Sequence, residues 1–325
     1  MKKFLAILIS ALTMGTACIM TACNNVDYTV GIIQLVTHPA LDAATQGFMD
    51  ALQEEMDKAG KTVEFDLQNA SNETALCSTI SSNFVAKNYD LIMANSTPAL
   101  QAAAESTLSI PILGTSVTEY GVALGIENFS GTVGSNISGT SDLADLNSQA
   151  QMILDFCPDA KTIGLLYCSA EPNSSYQVNQ VKSYLEGKGK TCQIYTFTDS
   201  NDISAVVNGI VGNADAVYVP TDNTVAANTE IIDSILRPAN IPVIAGEEGI
   251  CSGCGIATLS ISYYGIGLKT GKMAAEILLE GKPINTMAIA YDESPVYKYN
   301  ATICKDLGIT VPSNYVVIEG TEIGE

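Results

Sequence analysis

Ala216-Val217-Tyr218-Val219-Pro220-Thr221-Asp222-Asn223-Thr224 compresses a strand, its carboxyl-end loop and a helix start into nine residues. Val217 to Val219 is a β-branched and aromatic run suited to a buried strand, Pro220 stops it, and Thr221, Asp222 and Asn223 are residue types that cap helices. In an open α/β sheet, ligands sit outside the carboxyl ends of strands, which places Asp222 where a carboxylate can meet a cationic group. Simple capping of the next helix is the competing reading of the same residue.

Outward from this stretch the same grammar repeats. Tyr28 to Leu35 reads as a strand, and Leu41 to Ala59 reads as a helix stopped by Gly60. Strands at Thr62 to Leu67, Leu91 to Met93 and Ile110 to Leu113 alternate with helices at Glu73 to Ala86 and Pro98 to Glu105. Such alternation predicts a parallel sheet with right-handed crossovers. A glycine-rich passage from Gly114 to Gly139 is the expected exit to a second lobe.

The alternation restarts with a helix near Leu143 to Phe156, strands at Thr162 to Tyr167 and Cys192 to Phe197, and helices at Ser174 to Gly187, Ile203 to Val211 and Val225 to Leu236. After a second glycine-rich passage, Gly246 to Gly255, strand Ile256 to Ser260 and helix Tyr263 to Leu279 are expected to return to the first sheet. The expected fold class is α/β: two open parallel sheets joined by several crossings, forming hinged lobes with a cleft. The expected division is lobe 1 at 28–116 plus 256–285 and lobe 2 at 117–255 plus 286–325.

The amino terminus reads as an export signal. Lys2 and Lys3 precede an apolar run from Phe4 to Ala17, followed by Met20-Thr21-Ala22-Cys23. The tetrapeptide resembles a bacterial lipobox, so residues 1–22 are expected to be removed, Cys23 to be lipidated and residues 23–27 to form a tether. Gly15-Thr16-Ala17-Cys18 is a rival site. Removing 22 of 325 residues leaves 303, enough for two domains with ample cores. The remaining chain has 13 basic and 35 acidic side chains, a formal charge of −22, which argues against nucleic acid or an anionic membrane surface as main partner.

Seven cysteines would remain, an odd number for an exported chain, so at least one is expected unpaired. Cys251-Ser252-Gly253-Cys254 lacks a second CxxC, and the sole histidine, His38, lies far away in sequence, which disfavours a zinc site and suggests that the cysteines are small buried residues and a surface dithiol. No metal or cofactor is expected. A hydrolase triad would depend on His38 without a Gly-x-Ser-x-Gly elbow. Gly267-Leu268-Lys269-Thr270-Gly271-Lys272-Met273 departs from a phosphate loop in its leading glycine and at Met273. No enzymatic activity is expected.

The stretches Ile33 to Asp42, Ser138-Gly139-Thr140-Ser141-Asp142, Tyr218 to Thr224 and Tyr263-Tyr264-Gly265-Ile266-Gly267 resemble the ABC-transporter substrate-binding lipoproteins of the tryptophan/tyrosine type. The resemblance covers nearly the whole mature chain. It implies two Rossmann-like lobes of the type I periplasmic-binding-protein class that close on a small ligand, commonly an amino acid, for delivery to an ABC permease and its ATPase. A lipid-anchored monomer at the outer face of the cell membrane is the corresponding expectation. A sensory lipoprotein signalling to a receptor is the alternative.

An amino acid requires donors for its carboxylate, an acceptor for its ammonium and a shaped pocket. Thr97-Pro98 reads as a cap with Pro at the first helical position, leaving backbone N–H groups free. Ser116 and Thr118 add hydroxyls. Asp222 is the first choice for the ammonium and Asp142 the second. Asn69, Asn173, Asn223 and Glu247 follow strands on the same edge, Thr140 lies beside Asp142, and His38 shapes a cleft loop. For Asn69, Asn173 and Glu247 singly, capping or turn formation is an equal reading. Tyr120, Tyr176, Tyr218 and Tyr263 are each either core or stacking surface, which leaves aromatic and aliphatic ligands both open.

Overall fold

The computed structural model describes residues 26–322; the signal segment and Cys23 lie outside them. The first part of the chain forms β1 (Tyr28–Gln34), α1 (Pro39–Ala59), β2 (Val63–Asn69), α2 (Thr74–Ala86), β3 (Leu91–Asn95) and α3 (Thr97–Ser106). It continues with β4 (Ile112–Val117), α4 (Tyr120–Leu124) and β5 (Ile137–Ser141). Next come α5 (Leu146–Phe156), β6 (Thr162–Cys168), α6 (Pro172–Gly187), β7 (Thr191–Phe197), α7 (Ile203–Asn208) and β8 (Ala216–Val219). The chain then adds α8 (Asn223–Ala226), α9 (Thr229–Leu236), β9 (Val243–Ala245), α10 (Glu248–Cys254), β10 (Ala257–Ser260) and α11 (Tyr263–Glu280). It ends with β11 (Ala290–Tyr291), β12 (Val296–Tyr299), α12 (Ala301–Asp306) and β13 (Val316–Val317).

Two sheets result, with orders β11-β5-β4-β3-β1-β2 and β13-β12-β10-β9-β8-β6-β7. All pairings are parallel except β10 with β12. Central strands β3 and β8 are buried at every position, as strands covered by helices on both faces must be. Apolar clusters fill both faces of each sheet. The chain passes between sheets three times: after β5, after β10 and after β11.

The expected lobe division needs correction at three strands. Residues from 117 were assigned to lobe 2, yet β5 pairs with β4 in the first sheet, and β11 pairs with β5 there as well. The strand 257–260, assigned to lobe 1, pairs with β9 in the second sheet, and only α11 crosses back. The reason lies in Gly139, which has φ +144 and sits so close to β4 that a Cβ on it would stand 2.0 Å from the Gly114 carbonyl oxygen. Those glycines permit close strand pairing, where the sequence reading took them for an exit linker. The second glycine-rich passage contains α10, and the single helix expected at Val225 to Leu236 is two, α8 and α9.

The false phosphate loop has a packing explanation. Gly267 and Gly271 are one turn apart on α11, and a Cβ on either would lie 2.2 Å from the Ala44 carbonyl or 2.5 Å from the Phe48 carbonyl of α1. Both obstacles are backbone, so neither can swing aside. We expect Gly267→Ala to destabilise the protein by about 1–3 kcal/mol through forced separation of the two helices. Urea unfolding monitored by circular dichroism checks this, and an unchanged midpoint would show that the helix pair yields freely.

Candidate functional site

The opening motif delivers Asp222 to the cleft with its carboxylate already committed. Oδ1 accepts from the Val225 amide at 2.9 Å, capping α8, while Oδ2 accepts from the Cys168 amide at 2.7 Å and the Ser174 hydroxyl at 2.8 Å. Burial, with the neighbouring Glu171 carboxylate, pushes Asp222 up to about 8. The side chain ties β6, α6 and α8 together. It is a cap, as one reading of the sequence has it; for the other, contact with a ligand ammonium, neither oxygen is left free, since both are bonded within the second lobe.

Of nine buried side-chain polar atoms without a partner among the described residues, four are in Ser81, Asn95, Asp233 and Thr258, and five belong to candidate site residues. Thr97 Oγ1, Ser116 Oγ, Asp142 Oδ1, Asn173 Oδ1 and His38 Nδ1 are all buried and unpartnered. A buried polar group without a partner costs free energy comparable to a lost hydrogen bond, so a cluster of them indicates where a bound molecule completes the bonding. These atoms come from the loop after β1, from the first turns of α3 and α6, from β4, and from the segment after β5. The helix α3 is capped one residue earlier than expected: Ser96, at φ 120, accepts from the Ala99 amide, which leaves Thr97 at the first helical position with a free hydroxyl. Ser116 lies at φ 52, in the irregularity between Gly114 and Val117 where β4 departs from register with β5. This left-handed geometry is uncommon outside glycine and asparagine.

Asp142 uses one oxygen to accept from the Tyr263 hydroxyl at 3.1 Å and keeps the other free. Burial pushes its carboxyl up to about 6, against the opposing hydroxyls of Thr118 and Tyr263. Glu247 caps α10 by accepting from the Gly249 amide at 2.6 Å and from Ile250, and burial lifts it to about 7. Glu171, absent from the sequence-derived set, is also buried, and among the described residues no lysine or arginine is. Its signal was its place between Ala170 and Pro172, an acid directly before a proline that opens a helix.

Several expected residues are placed elsewhere. Asn69 is exposed, donates to the Thr37 hydroxyl at 3.0 Å and accepts from the Ser71 amide at 2.8 Å; the turn reading describes it. Thr140 is buried inside the first lobe, its hydroxyl bonded to those of Thr115 at 3.0 Å and Thr270 at 2.8 Å, so it braces β5 against α11. Asn223 faces His38 across the cleft at 3.3 Å. Tyr120 and Tyr218 are core, with hydroxyls on the Thr140 carbonyl and the Gln149 side chain. The dithiol expected at the surface is buried: Cys251 and Cys254 lie within α10 with both thiols pushed up by burial, and the seven cysteines among the described residues are all free.

Two cavities flank this cluster. One of about 600 Å³ lies between the starts of α1 and α11 and the residues of α10 and β12, and it meets the cluster through Glu247 and Tyr263. Another of about 480 Å³ is lined by Leu35, Asn72, Pro98, Cys168, Glu171 and Thr224. Both draw walls from the two lobes.

Two parallel α/β lobes, three crossings and unsatisfied polar atoms between them define a solute-binding protein that closes over its ligand. Residues 29–322 match the family described as ABC transporter substrate binding protein, and the chain belongs to it. A tyrosine-binding protein of Clostridioides difficile (strain R20291) is 36% identical over 268 residues, covering 82% of this chain and 77% of that one. The fold is that of type I periplasmic binding proteins. An ABC domain from Streptococcus pneumonia in complex with L-Trp superposes with a TM-score of 0.83 at 29% identity, covering 90% of this chain and 99% of that one. A ligand-free, open structure of a substrate binding protein with adhesive properties from Clostridium difficile gives 0.68 at 38% identity, over 90% and 99% of the chains. The lobes therefore sit closer to the L-Trp-bound arrangement than to the open one, although sequence identity favours the latter.

The raised carboxyls give a signed pH dependence. Each holds its proton more tightly in the closed fold than in the unfolded chain, so their contribution to stability is complete below an unfolded value of about 4 and is lost as pH rises through about 6, 7 and 8 for Asp142, Glu247 and Asp222. Burial lowers His38, which acts in the opposite sense only at more acidic pH. The melting temperature of ligand-free protein is expected to fall from about pH 7 to about pH 8.5. A flat or rising profile over that window would contradict the burial of Asp222 and Glu247.

Proposed function

We propose that this chain is the extracytoplasmic solute-binding component of an ABC importer and that its solute is an amino acid. The observation that carries this is Asp142, a buried carboxylate with one free oxygen among free hydroxyls and amide oxygens, in a cleft whose buried side chains include no lysine or arginine. A ligand ammonium supplies the missing positive charge at Asp142. Thr97 and Ser116 supply hydroxyl donors for the ligand carboxylate, together with the amino-terminal end of α3, a ten-residue helix whose dipole favours an anion. Asn173 offers its carbonyl oxygen to a second ligand N–H. Glu247 and Asp222 hold the surrounding helix starts in place. Relatives described with L-Trp or as tyrosine-binding support an aromatic amino acid as solute.

In this reading ligand binding favours closure because only the closed state lets both lobes touch the solute, and no bond in the solute is made or broken. Cys23 carries lipid and tethers a monomer at the membrane, beside the permease and ATPase that receive the solute. Among the described residues no helix is long and apolar enough to cross a membrane, so attachment rests on that tether.

The chain contains no tryptophan, so emission of added L-tryptophan reports its own burial. Asp142→Asn is expected to weaken L-tryptophan or L-tyrosine binding by roughly 10- to 100-fold, the loss of one charge-assisted bond, with circular dichroism unchanged. Equal affinity by calorimetry would remove Asp142 from the site. Cys23→Ala is expected to move the protein from the membrane fraction to the soluble fraction, and persistent anchoring would point to Cys18 or an uncleaved signal.

A further inference from the structure

Two side-chain hydrogen bonds cross between the lobes at the cleft, and both end on α8. His38, in the loop after β1, meets Asn223 Oδ1 through Nε2 at 3.3 Å, and Asn72, in the loop after β2, donates to Thr224 Oγ1 at 3.0 Å. Their second-lobe partners share one anchor. Glu171 Oε2 accepts from the Asn223 amide N–H at 3.0 Å and from Asn223 Nδ2 at 2.7 Å, while Oε1 accepts from the Thr224 N–H at 2.9 Å and its hydroxyl at 2.8 Å.

We infer that Glu171 is a positioning residue that imposes the direction of an interlobe latch, so that the first lobe donates and the second lobe accepts. The inference rests on the reading of the cleft as a ligand-closing site. The Glu171 carboxylate meets only N–H and hydroxyl groups, so both its oxygens accept. It therefore draws the NH₂ end of Asn223 toward itself and leaves the carbonyl oxygen facing His38. That oxygen in turn requires a proton on His38 Nε2, which leaves Nδ1 as the lone-pair nitrogen, and Nδ1 is the ring atom found buried without a partner. The same carboxylate takes the Thr224 hydroxyl hydrogen, so the oxygen lone pairs face the Asn72 NH₂ group. Asn72 is held for this at φ 65, following Ser71 at φ 52, with its own amide bonded to the Leu35 carbonyl at 2.8 Å. One carboxylate thus orients two hydrogen bonds that neither of its own oxygens makes. A glutamine at 171 would present an NH₂ group to donors on one side, turning Asn223 or Thr224 away from the opposite lobe.

The test compares hydrogen–deuterium exchange of ligand-free wild type, Glu171→Gln and Thr224→Val, with L-tryptophan dissociation read by its fluorescence. Faster exchange is expected in Glu171→Gln at residues 36–42 and 70–75, first-lobe segments that Glu171 does not touch, and dissociation is expected to speed up on the order of tenfold. Exchange that rises only at 221–228 would assign Glu171 a local structural role and overturn the latch. Should Glu171→Gln fail to fold, Thr224→Val decides, with faster exchange expected at 70–75 and unchanged exchange there overturning the proposal. If wild type binds neither L-tryptophan nor L-tyrosine, the proposed solute class fails, while the exchange comparison still decides the latch.

Discussion

Four carboxylates, Asp142, Glu171, Asp222 and Glu247, are buried where the two sheets face each other, and no lysine or arginine among the described residues is buried with them. Taking an uncompensated charge out of water is expensive, so each must find donors. Three find them in backbone: Glu171 and Asp222 both accept from amides at the start of α8, and Glu247 accepts from those at the start of α10. Helix starts have free N–H groups and a positive dipole end, which makes them natural counterweights. Asp142 alone of the four keeps an oxygen without a donor. Of the four, Asp142 is the one with an oxygen open to a further donor, which is why the proposed ammonium contact is placed there.

The lobes that carry these groups are stiff for a packing reason. Glycines at 267 and 271 bring α11 into backbone contact with α1, so the helix that returns from the second sheet becomes part of the first lobe's face. Three crossing segments join the two lobes. Atoms on the loops after β1 and β3 face atoms on the loops after β6 and β8, which is how residues separated by more than a hundred positions come to share one cluster.

The alternation of strands and helices was legible because apolar period and capping chemistry are local. So was the strand edge on which these polar residues lie, since it follows from the direction of parallel strands. Thr97, Ser116, Asp142 and Asn173 were all named from that rule. The division into lobes was less legible: Gly114 to Gly139 looks like a linker in one dimension, and only the pairing of β4 with β5 shows that its glycines serve close approach. Glu171 escaped notice because its meaning depends on Asn223 and Thr224, about fifty residues later.

By itself the sequence determined the fold class and the set of polar residues at strand ends, through periodicities and caps that operate within a few residues. The tertiary structure alone decided which carboxylate is free. Asp222 and Asp142 look alike as loop acids, but α8, α6 and β6 fold around Asp222 and use both its oxygens, whereas Asp142, beside the Thr118 and Tyr263 hydroxyls, keeps Oδ1 without a partner. Whether a buried acid is spent or available depends on how many donors other segments bring to it, and that count is set by packing between distant parts of the chain.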